Sequence, residues 1–339
     1  MKSSFGQTLR VTVWGQSHAP SVGTDIDGFP AGYRIDADAL AEFMSRRAPG
    51  KDPLSTARRE DDIPEFLSGV ENGVTTGGVI KAEIKNRDIR PSDYDNVKNV
   101  PRPGHADYAA RVKYGDGYDM AGGGPFSGRM TAPLCVAGAL AIGLLSKNGI
   151  SVHAKPVEIG GVAGDVDAMK EEIAKAKADG DSVGGVVECT VEGMPAGVGG
   201  PLFGGMEGLI SSAVFAIPAV KGIEFGAGFA AARMRGSENN DPFAVENGMV
   251  VTTKNDHGGI LGGITSGAPL VFRAAFKPTP SIAKEQDSVD LSTLENVKLT
   301  VKGRHDPCVV LRAVPAVEAA CAIAILDALL TEGRILKTE

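Results

Sequence analysis

Residues 314–330 read VPAVEAACAIAILDALL, and residues 129–147 read RMTAPLCVAGALAIGLLSK. Both stretches are long enough for a helix and carry apolar residues nearly all round, which is typical of helices buried inside a protein. The most apolar run, 132–145, contains two glycines and is shorter than the roughly 20 residues that span a bilayer. We therefore predict two helices buried between other layers, and no membrane segment.

Runs rich in Val, Ile and Thr lie on either side of these helices and predict strands. They are residues 9–14, 79–85, 186–192, 249–253 and 270–276. Two amphipathic helices are also predicted, at 35–47 with Asp36 as the cap and at 165–179 before Gly180. Strands often follow strands without a regular alternation with helices. The pattern thus favours an α+β fold, with central helices covered by sheets, over a doubly wound parallel sheet.

Composition and charge restrict the classes of function. The chain of 339 residues has 42 acidic and 35 basic side chains, a net charge of -7. This balance argues against general nucleic-acid binding but leaves anionic small molecules open, because their binding depends on local charge. None of the four cysteines forms a CxxC pair, which excludes the usual zinc and thioredoxin patterns. The N-terminal residues lack the apolar core of a signal peptide. We predict reduced thiols and a cytoplasmic location.

The common phosphate-binding loops and hydrolase motifs are absent from the sequence. Chemistry-bearing residues occur instead in five segments rich in Gly or Pro: GQSH (15–18), RPGHAD (102–107), GGGPFSGR (122–129), KPTPS (277–281) and GRHDPC (303–308). Each segment also has a purely structural interpretation. In the same order, these are a surface or hydrogen-bonded core histidine, a turn with a local His–Asp hydrogen bond, a flexible connector, a proline-rich loop and a helix cap. Arginine pairs at 46–47 and 58–59 could be solvated or could bind carboxylates or phosphate. Together, these basic loops in an acidic protein suggest a polyanionic substrate.

The segments resemble the chorismate synthase family, in the family's order and along essentially the whole chain. RPGHAD matches without change, and GQSHA and GGGPFSGRMT are similar to the first two signatures. The other matching segments are DGFPAG (27–32), RRAPGK (46–51), FLSGV (66–70), TTGG (75–78), RMRGSENND (233–241), GGILGGI (258–264), FKPTPSI (276–282) and GRHDPCVVLRAVPAVEAA (303–320). The resemblance implies a single domain, 1–339, with central helices sandwiched between antiparallel sheets, and a homotetramer.

The resemblance also implies a reaction. The family makes chorismate by anti-1,4-elimination of phosphate from 5-enolpyruvylshikimate 3-phosphate. This is the last common step of the shikimate pathway, which leads to the aromatic amino acids. The reaction has no net redox change yet requires reduced FMN, and NADPH serves some members as the reductant. Substrate and cofactor are both anions, which agrees with the basic loops.

Site residues follow from the resemblance by position. His18 matches the residue that protonates the departing phosphate, and His105 matches the histidine beside the reduced flavin. Asp306 matches the carboxylate near flavin N5, and Ser17 and Ser127 match hydroxyls in proton relay. The substrate-clamping arginines would be Arg47, Arg58, Arg102 and Arg129. The FMN contacts would be Ser127, Gly262, Lys277, Pro278, Thr279, Pro280, Ser281 and Arg304.

Several positions depart from the family pattern. Gln16 stands for Glu, Pro125 and Phe126 for Arg and Ser, and Pro218 for an Asn that touches FMN. Further departures are Ala19 for Gly, Met130 for Glu and Pro53 for Arg. Loss of a charge-assisted contact would weaken FMN binding by ~10–100-fold. Two alternatives to a working enzyme follow: a non-catalytic relative that binds an anion or flavin, and an unrelated phosphate-binding hydrolase.

Overall fold

Two apolar helices form the centre of the fold. The computed structural model describes residues 3–50, 54–56, 58, 60–88, 97–115, 117–301, 306–334 and 336–338. Its α-helices are α1 (Ala37–Arg47), α2 (Asp107–Tyr114), α3 (Thr131–Lys147), α4 (Val166–Ala178), α5 (Met206–Phe215), α6 (Gly236–Asn239) and α7 (Val310–Thr331). Helices α3 and α7 pack against each other, and most of their residues are buried. The prediction of two buried helices at 129–147 and 314–330 is confirmed, although α7 begins four residues earlier.

The strands all pair antiparallel. They are β1 (Ser3–Phe5), β2 (Arg10–Gly15), β3 (Ser21–Asp27), β4 (Glu65–Ser68), β5 (Val70–Glu71), β6 (Val74–Thr75), β7 (Ile80–Lys85), β8 (Ser151–Ile159), β9 (Val162–Ala163), β10 (Gly185–Glu192), β11 (Val220–Phe225), β12 (Phe243–Glu246), β13 (Met249–Thr252), β14 (Ile260–Leu261), β15 (Ile264–Thr265), β16 (Leu270–Phe276), β17 (Gln286–Asp290) and β18 (Glu295–Leu299). All five predicted runs are strands, within one or two residues at their ends.

Two five-stranded sheets enclose the helix pair. One has the order β1-β2-β3-β7-β4 and the other β11-β16-β10-β8-β9. Helix α3 packs on β2, β3 and β7, whereas α7 packs on β8 and β10. The predicted α+β sandwich of central helices between antiparallel sheets is therefore confirmed.

The two amphipathic helices begin at the predicted caps. Oδ1 of Asp36 accepts hydrogen bonds from the backbone N–H groups of Asp38 and Ala39, at 3.1 and 3.0 Å. Oδ1 of Asp165 caps α4 in the same way. A side-chain oxygen that satisfies these otherwise unpaired donors fixes where a helix starts. For α1, this start places Arg46 and Arg47 in the last turn.

Two helical segments, Gly128–Lys147 and Val310–Thr331, have the length and apolar composition of a membrane span. Their most apolar windows are 61% and 94% buried within the protein. Burial of this kind identifies them as core helices, because a lipid-facing helix would leave its apolar side chains exposed.

Carboxylates in α7 bind distant parts of the chain. Glu318 pairs with Arg46 of α1 at 2.9 Å and accepts the backbone N–H of Ala154 at 2.8 Å. Asp327 accepts the backbone N–H groups of residues 7–9. Both side chains are buried, and a buried carboxylate is tolerated only when it is hydrogen-bonded in this way. These bonds set α1 and the N-terminal loop against the central helix.

Candidate active site

A cleft of about 530 Å³ lies at one end of the helix pair. The residues at its wall come from the α1 end, the loops before α2 and α3, the segment after α5, the end of β16 and the start of α7. Sequence-predicted site residues that line it are Ser17, Arg47, Arg58, Arg102, His105, Ser127, Arg129, Lys277, Thr279, Pro280, Ser281 and Asp306. Segments that are far apart in sequence, from Ser17 to Ala313, thus meet at one cavity.

The other predicted residues lie elsewhere. His18 sits beside the cleft, because a side chain at the lining residue Gly122 would place its Cβ 2.2 Å from the imidazole. Pro278 is not among the lining residues, and Gly262 lies in the turn between β14 and β15, also outside the lining. Arg304 lies outside the described residues, as does Pro53.

Two buried arginines share one buried carboxylate at the cleft. Nη1 of Arg47 donates to Oδ2 of Asp62, and Nη1 of Arg129 donates to Oδ1 of the same group. The side chains are only 1%, 2% and 0% exposed for Arg47, Arg129 and Asp62. Burial alone would raise the pKa of Asp62, but the two guanidinium groups outweigh it and lower this pKa. Two cations and one anion leave a net positive charge at this wall.

A second carboxylate holds Arg58. Nη2 of Arg58 lies 2.9 Å from Oε1 of Glu60, and Nη1 lies 3.4 Å from the hydroxyl of Ser17. Glu60 also accepts the backbone N–H groups of Arg87 and Asp88. These contacts connect the loop after β2, the irregular segment before β4 and the end of β7.

The RPGHAD segment folds into a compact network. Asp107 accepts from Nε and Nη2 of Arg102, both at 2.7 Å, and its Oδ1 lies 2.6 Å from Nδ1 of His105. Nη1 of Arg102 donates to the Ser281 hydroxyl at 3.2 Å. Burial opposes ionisation of Asp107, yet the bonds from Arg102 and His105 hold its pKa well below the ordinary range. The local His–Asp hydrogen bond considered from the sequence is therefore present, and it lies in the cleft wall.

Asp306 is held by an arginine that the sequence did not single out. Nη1 of Arg312 donates to Oδ2 of Asp306 at 2.6 Å, and its Nε donates to the carbonyl of Arg47 at 3.3 Å. Oδ1 of Asp306 is buried and has no hydrogen-bond partner among the described residues. Burial raises the pKa of Asp306, and Arg312 opposes this effect. A carboxylate with one fixed and one open oxygen is suited to accept a proton.

Lysines lie at another part of the wall. Nζ of Lys277 donates to the carbonyl of Gly104 at 2.9 Å. Burial and the neighbouring charge of Lys221 lower the pKa of Lys277. Nearby, the Thr279 hydroxyl is buried without a partner among the described residues. Two close amines and an open hydroxyl favour a bound phosphate.

Glycines 122–124 bring the backbone against both histidines. Their φ angles are 62°, 90° and 52°, in the left-handed region that suits glycine. A Cβ at Gly123 would lie 3.0 Å from Nε2 of His105. Ser127 then ends the loop, since its hydroxyl accepts the backbone N–H of Arg129 at 3.2 Å. These close contacts explain the glycines, because a Cβ at Gly122 or Gly123 would crowd a histidine ring.

The cleft combines positive charge with an apolar wall. Among the described residues, its lining includes seven basic Lys and Arg side chains but a single carboxylate, Asp306, in a chain of net charge -7. The apolar part includes Phe126, Phe215, Ile217 and Pro218. Such a cleft could hold anionic groups at one side and a flat ring at the other. Pro125, Phe126 and Pro218, which depart from the family pattern, all lie in this lining.

The sequence did not identify Asp62, Lys221 or Arg312 as residues of the site. It also did not show that Asp107 would bind both Arg102 and His105. Asp62 follows a run of charges (58–61) that is typical of a solvated surface. One signal was available: arginines buried at a helix end need a carboxylate partner. The sequence does not show which carboxylate supplies it.

Comparisons with known proteins agree with one another. The family model described as chorismate synthase matches residues 9–330. The chorismate synthase of Korarchaeum cryptofilum is 48% identical over 353 residues, covering 97% of this chain and 98% of the relative. That of Archaeoglobus fulgidus is 46% identical, covering 98% of each chain. A solved structure described as chorismate synthase has a TM-score of 0.76 at 27% identity, covering 96% of this chain and 93% of that one.

Proposed function

This chain belongs to the chorismate synthase family and has that family's lyase activity, and we propose how its own residues carry out the elimination. The reaction breaks the C–O bond to phosphate and a C–H bond of the same ring, with no net redox change. Three kinds of group are needed: an anion clamp, a proton donor for the phosphate and a proton acceptor.

Buried polar atoms left open at the cleft carry this proposal. Nη2 of Arg129, Oδ1 of Asp306 and the hydroxyl of Thr279 are buried without hydrogen-bond partners among the described residues, and all three residues line the cleft. An unpaired buried polar group is costly unless a ligand satisfies it. A donor, an acceptor and a hydroxyl at one cavity support a ligand with both anionic and proton-bearing groups.

The arginines would hold the substrate. Arg129 offers its open Nη2, and Arg47 and Arg58 lie at the same cleft. Arg102 is engaged by Asp107 and Ser281, so we assign it to shaping the wall beside His105. Charge-assisted bonds to a phosphate or carboxylate are among the strongest hydrogen bonds in proteins.

Proton transfer would use His18 and Asp306. His18, beside Gly122, would protonate the leaving phosphate. Oδ1 of Asp306 would take the proton that leaves the substrate, while Arg312 fixes the other oxygen. The Ser17 hydroxyl lies against Arg58 and the Ser127 hydroxyl caps the turn before α3, and both line the cleft as candidates for relay.

The residues present fit reduced FMN. We propose that Lys277, Thr279 and Ser281 would bind its phosphate-bearing chain and that Phe126 and Phe215 would contact its ring. When bound, reduced FMN supplies electron density to the carbon that loses phosphate. His105 would face the ring with Nε2, because Asp107 accepts at Nδ1 and fixes the orientation. NADPH is the proposed reductant.

A second copy of the chain would cover an apolar hairpin. Phe243, Val245, Met249 and Val250 of β12 and β13 are 64–75% exposed, and Phe203 is fully exposed. Exposed apolar patches of this kind mark association surfaces, which supports the proposed homotetramer. Light scattering of the purified protein would give the mass of the assembly.

Two further proposals concern the chain as a whole. The main hydrophobic core includes residues from Leu9 to Leu329, beside a small second cluster of Val97, Leu299 and Val301. The extent of the main core supports a single domain over 1–339. All four cysteines are free and buried, which supports a reducing, cytoplasmic location.

Anaerobic phosphate release from 5-enolpyruvylshikimate 3-phosphate tests the function. We expect release with chemically reduced FMN and none without it. Saturation only at high FMN would assign the altered 125–126 loop to weak cofactor binding. If the protein reduces the flavin itself, NADPH with oxidised FMN should also give phosphate release. Folded protein that releases no phosphate at any FMN concentration would instead favour the non-catalytic relative.

A matched pair of histidine variants tests the assignment of the site. His105→Ala should lower turnover by at least ~100-fold, the usual contribution of a positioned proton-transfer group. His153→Ala is the control, because His153 is exposed on β8 and is not a lining residue. Equal activity of the two variants would contradict the role of His105.

A further inference from the structure

Asp62 holds the two most deeply buried arginines of the cleft in place without lining the cleft itself. Its carboxylate bridges Arg47, at the end of α1, and Arg129, in the turn before α3. Asp62 is not one of the lining residues, whereas both arginines are. Any effect of Asp62 on substrate must therefore pass through the guanidinium groups.

The backbone at Asp62 is itself unusual. Its φ angle is +52°, in the left-handed region, where a residue other than glycine costs about 1 kcal/mol. Asp tolerates this conformation better than most residues. A strained residue persists only where surrounding contacts fix it, and here those contacts are the two buried arginines.

The two arginines depend on Asp62 to different degrees. Arg47 has two further partners, the Thr131 hydroxyl at 3.0 Å from Nε and the Gly128 carbonyl at 3.2 Å from Nη2. Within the part of the chain that the structure describes, Arg129 has one further partner, Oδ1 of Asn86 at 2.8 Å from Nε. Without Asp62, Arg129 would be held by a single hydrogen bond and would be repelled by Arg47.

One side-chain nitrogen of Arg129, itself a lining residue of the cleft, is left over for a ligand. Nε binds Asn86 and Nη1 binds Asp62, while Nη2 is buried with no partner among the described residues. A planar guanidinium that is held at two nitrogens has a fixed direction at the third. Asp62 thus determines where that donor points.

We propose that Asp62 is a positioning residue for substrate binding, which fixes Arg129 so that its Nη2 meets an anionic group of the substrate. This inference rests on the proposed function. On this proposal Asp62 lowers KM mainly by positioning Arg129, and to a smaller extent by positioning Arg47.

A double-mutant cycle on kcat/KM tests the coupling. Asp62→Asn keeps the shape but removes the charge, and we expect kcat/KM to fall on the order of 100-fold, mainly through KM. In the Arg129→Met background the same change should cost less than about threefold, since the group it positions is gone. Additive losses would overturn the proposal, because a merely structural carboxylate lowers activity whether or not Arg129 is present.

A neighbouring ion pair supplies the matched control. Glu318 is also a buried carboxylate, paired with Arg46, the residue before Arg47, and neither residue lines the cleft. Glu318→Gln should lower the melting temperature but leave KM within about twofold. A KM rise in Glu318→Gln equal to that of Asp62→Asn would assign both effects to general loosening and contradict the proposal.

If Asp62→Asn fails to fold, a second variant tests the same positioning of Arg129. Asn86→Ala removes the other anchor of Arg129 and leaves Asp62 ionised, so KM should rise in the same direction. An unchanged KM in folded Asn86→Ala would overturn the proposal. If wild-type protein releases no phosphate with reduced FMN, the proposed function itself has failed. The mutant cycle requires active wild-type protein, so its failure is a separate result that concerns Asp62 alone.

Discussion

Nδ1 of His105 lies 2.6 Å from Oδ1 of Asp107, two residues further along the same turn. Because Asp107 is ionised, the imidazole donates from Nδ1, and Nε2 is left as an acceptor, 3.5 Å from Nη2 of Arg102 and on the side of Gly123. One short sequence segment therefore fixes both the orientation and the hydrogen-bonding state of a histidine at the proposed flavin site.

Asp107→Asn should destabilise the protein in a pH-dependent way. The pKa of Asp107 in the folded protein lies well below its unfolded value. Its stabilising effect is therefore full above about pH 4 and is lost as the pH falls toward the folded pKa. We expect the variant to lose about 3–5 kcal/mol at pH 7, and less as the pH decreases below 4. Urea unfolding at several pH values measures this, and a loss independent of pH would contradict it.

Arg312→Met should move the acidic limb of the pH–rate profile to higher pH. Asp306 must be ionised to accept a proton, so activity falls as the pH drops through its pKa. Burial already raises this pKa, and Arg312 opposes the rise. Removal of Arg312 takes away the larger of the opposing effects and leaves only those of the Cys308 backbone N–H and of Arg47. Arg312→Lys keeps the charge and should shift the limb less. The shift is measured from pH profiles of kcat/KM for the wild type and the two variants. If the acidic limbs of the three profiles coincide, Asp306 is excluded as the titrating group.

Gly122→Ala should displace His18 and lower turnover by about 100-fold, the usual effect of misplacing a catalytic group by about 1 Å. The new Cβ would lie 2.2 Å from the imidazole, at a residue with φ of 62°. Gly117→Ala is the control, since a Cβ there meets nothing within 4 Å and its φ is ordinary. Steady-state phosphate release compares them. Full activity in Gly122→Ala would show that His18 can move without consequence.

Two helical glycines should respond in opposite ways to alanine. A Cβ at Gly138 of α3 would lie 2.1 Å from Cβ of Ala319 in α7. The variant should lose about 1–3 kcal/mol from overpacking. Gly208 of α5 faces open space, so Gly208→Ala should gain about 0.4–1 kcal/mol from reduced freedom of the unfolded chain. Thermal or urea unfolding measures both signs. A neutral Gly138→Ala would mean that the helix pair can separate.

Local sequence patterns predicted these helices and strands, because each helix or strand depends mainly on residues that are neighbours in the sequence. Asp36 caps the helix that it precedes, and apolar residues on all sides of 314–330 require burial wherever the helix lies. The strand runs were likewise found at their observed places. Strand β8 (Ser151–Ile159) was missed, because Lys155 and Pro156 interrupt its apolar pattern.

The sequence by itself determined the buried helix pair, the α+β class and, through its family resemblance, the segments that meet at the cleft. Only the tertiary structure decided the pairing of charges. Arg47 and Arg129 are 82 residues apart and share Asp62, and Arg312 rather than a neighbouring residue holds one oxygen of Asp306. The physical reason is that an ion pair depends on distance in space, so partners that lie far apart in the chain, such as Arg129 and Asp62, carry no signal in its order.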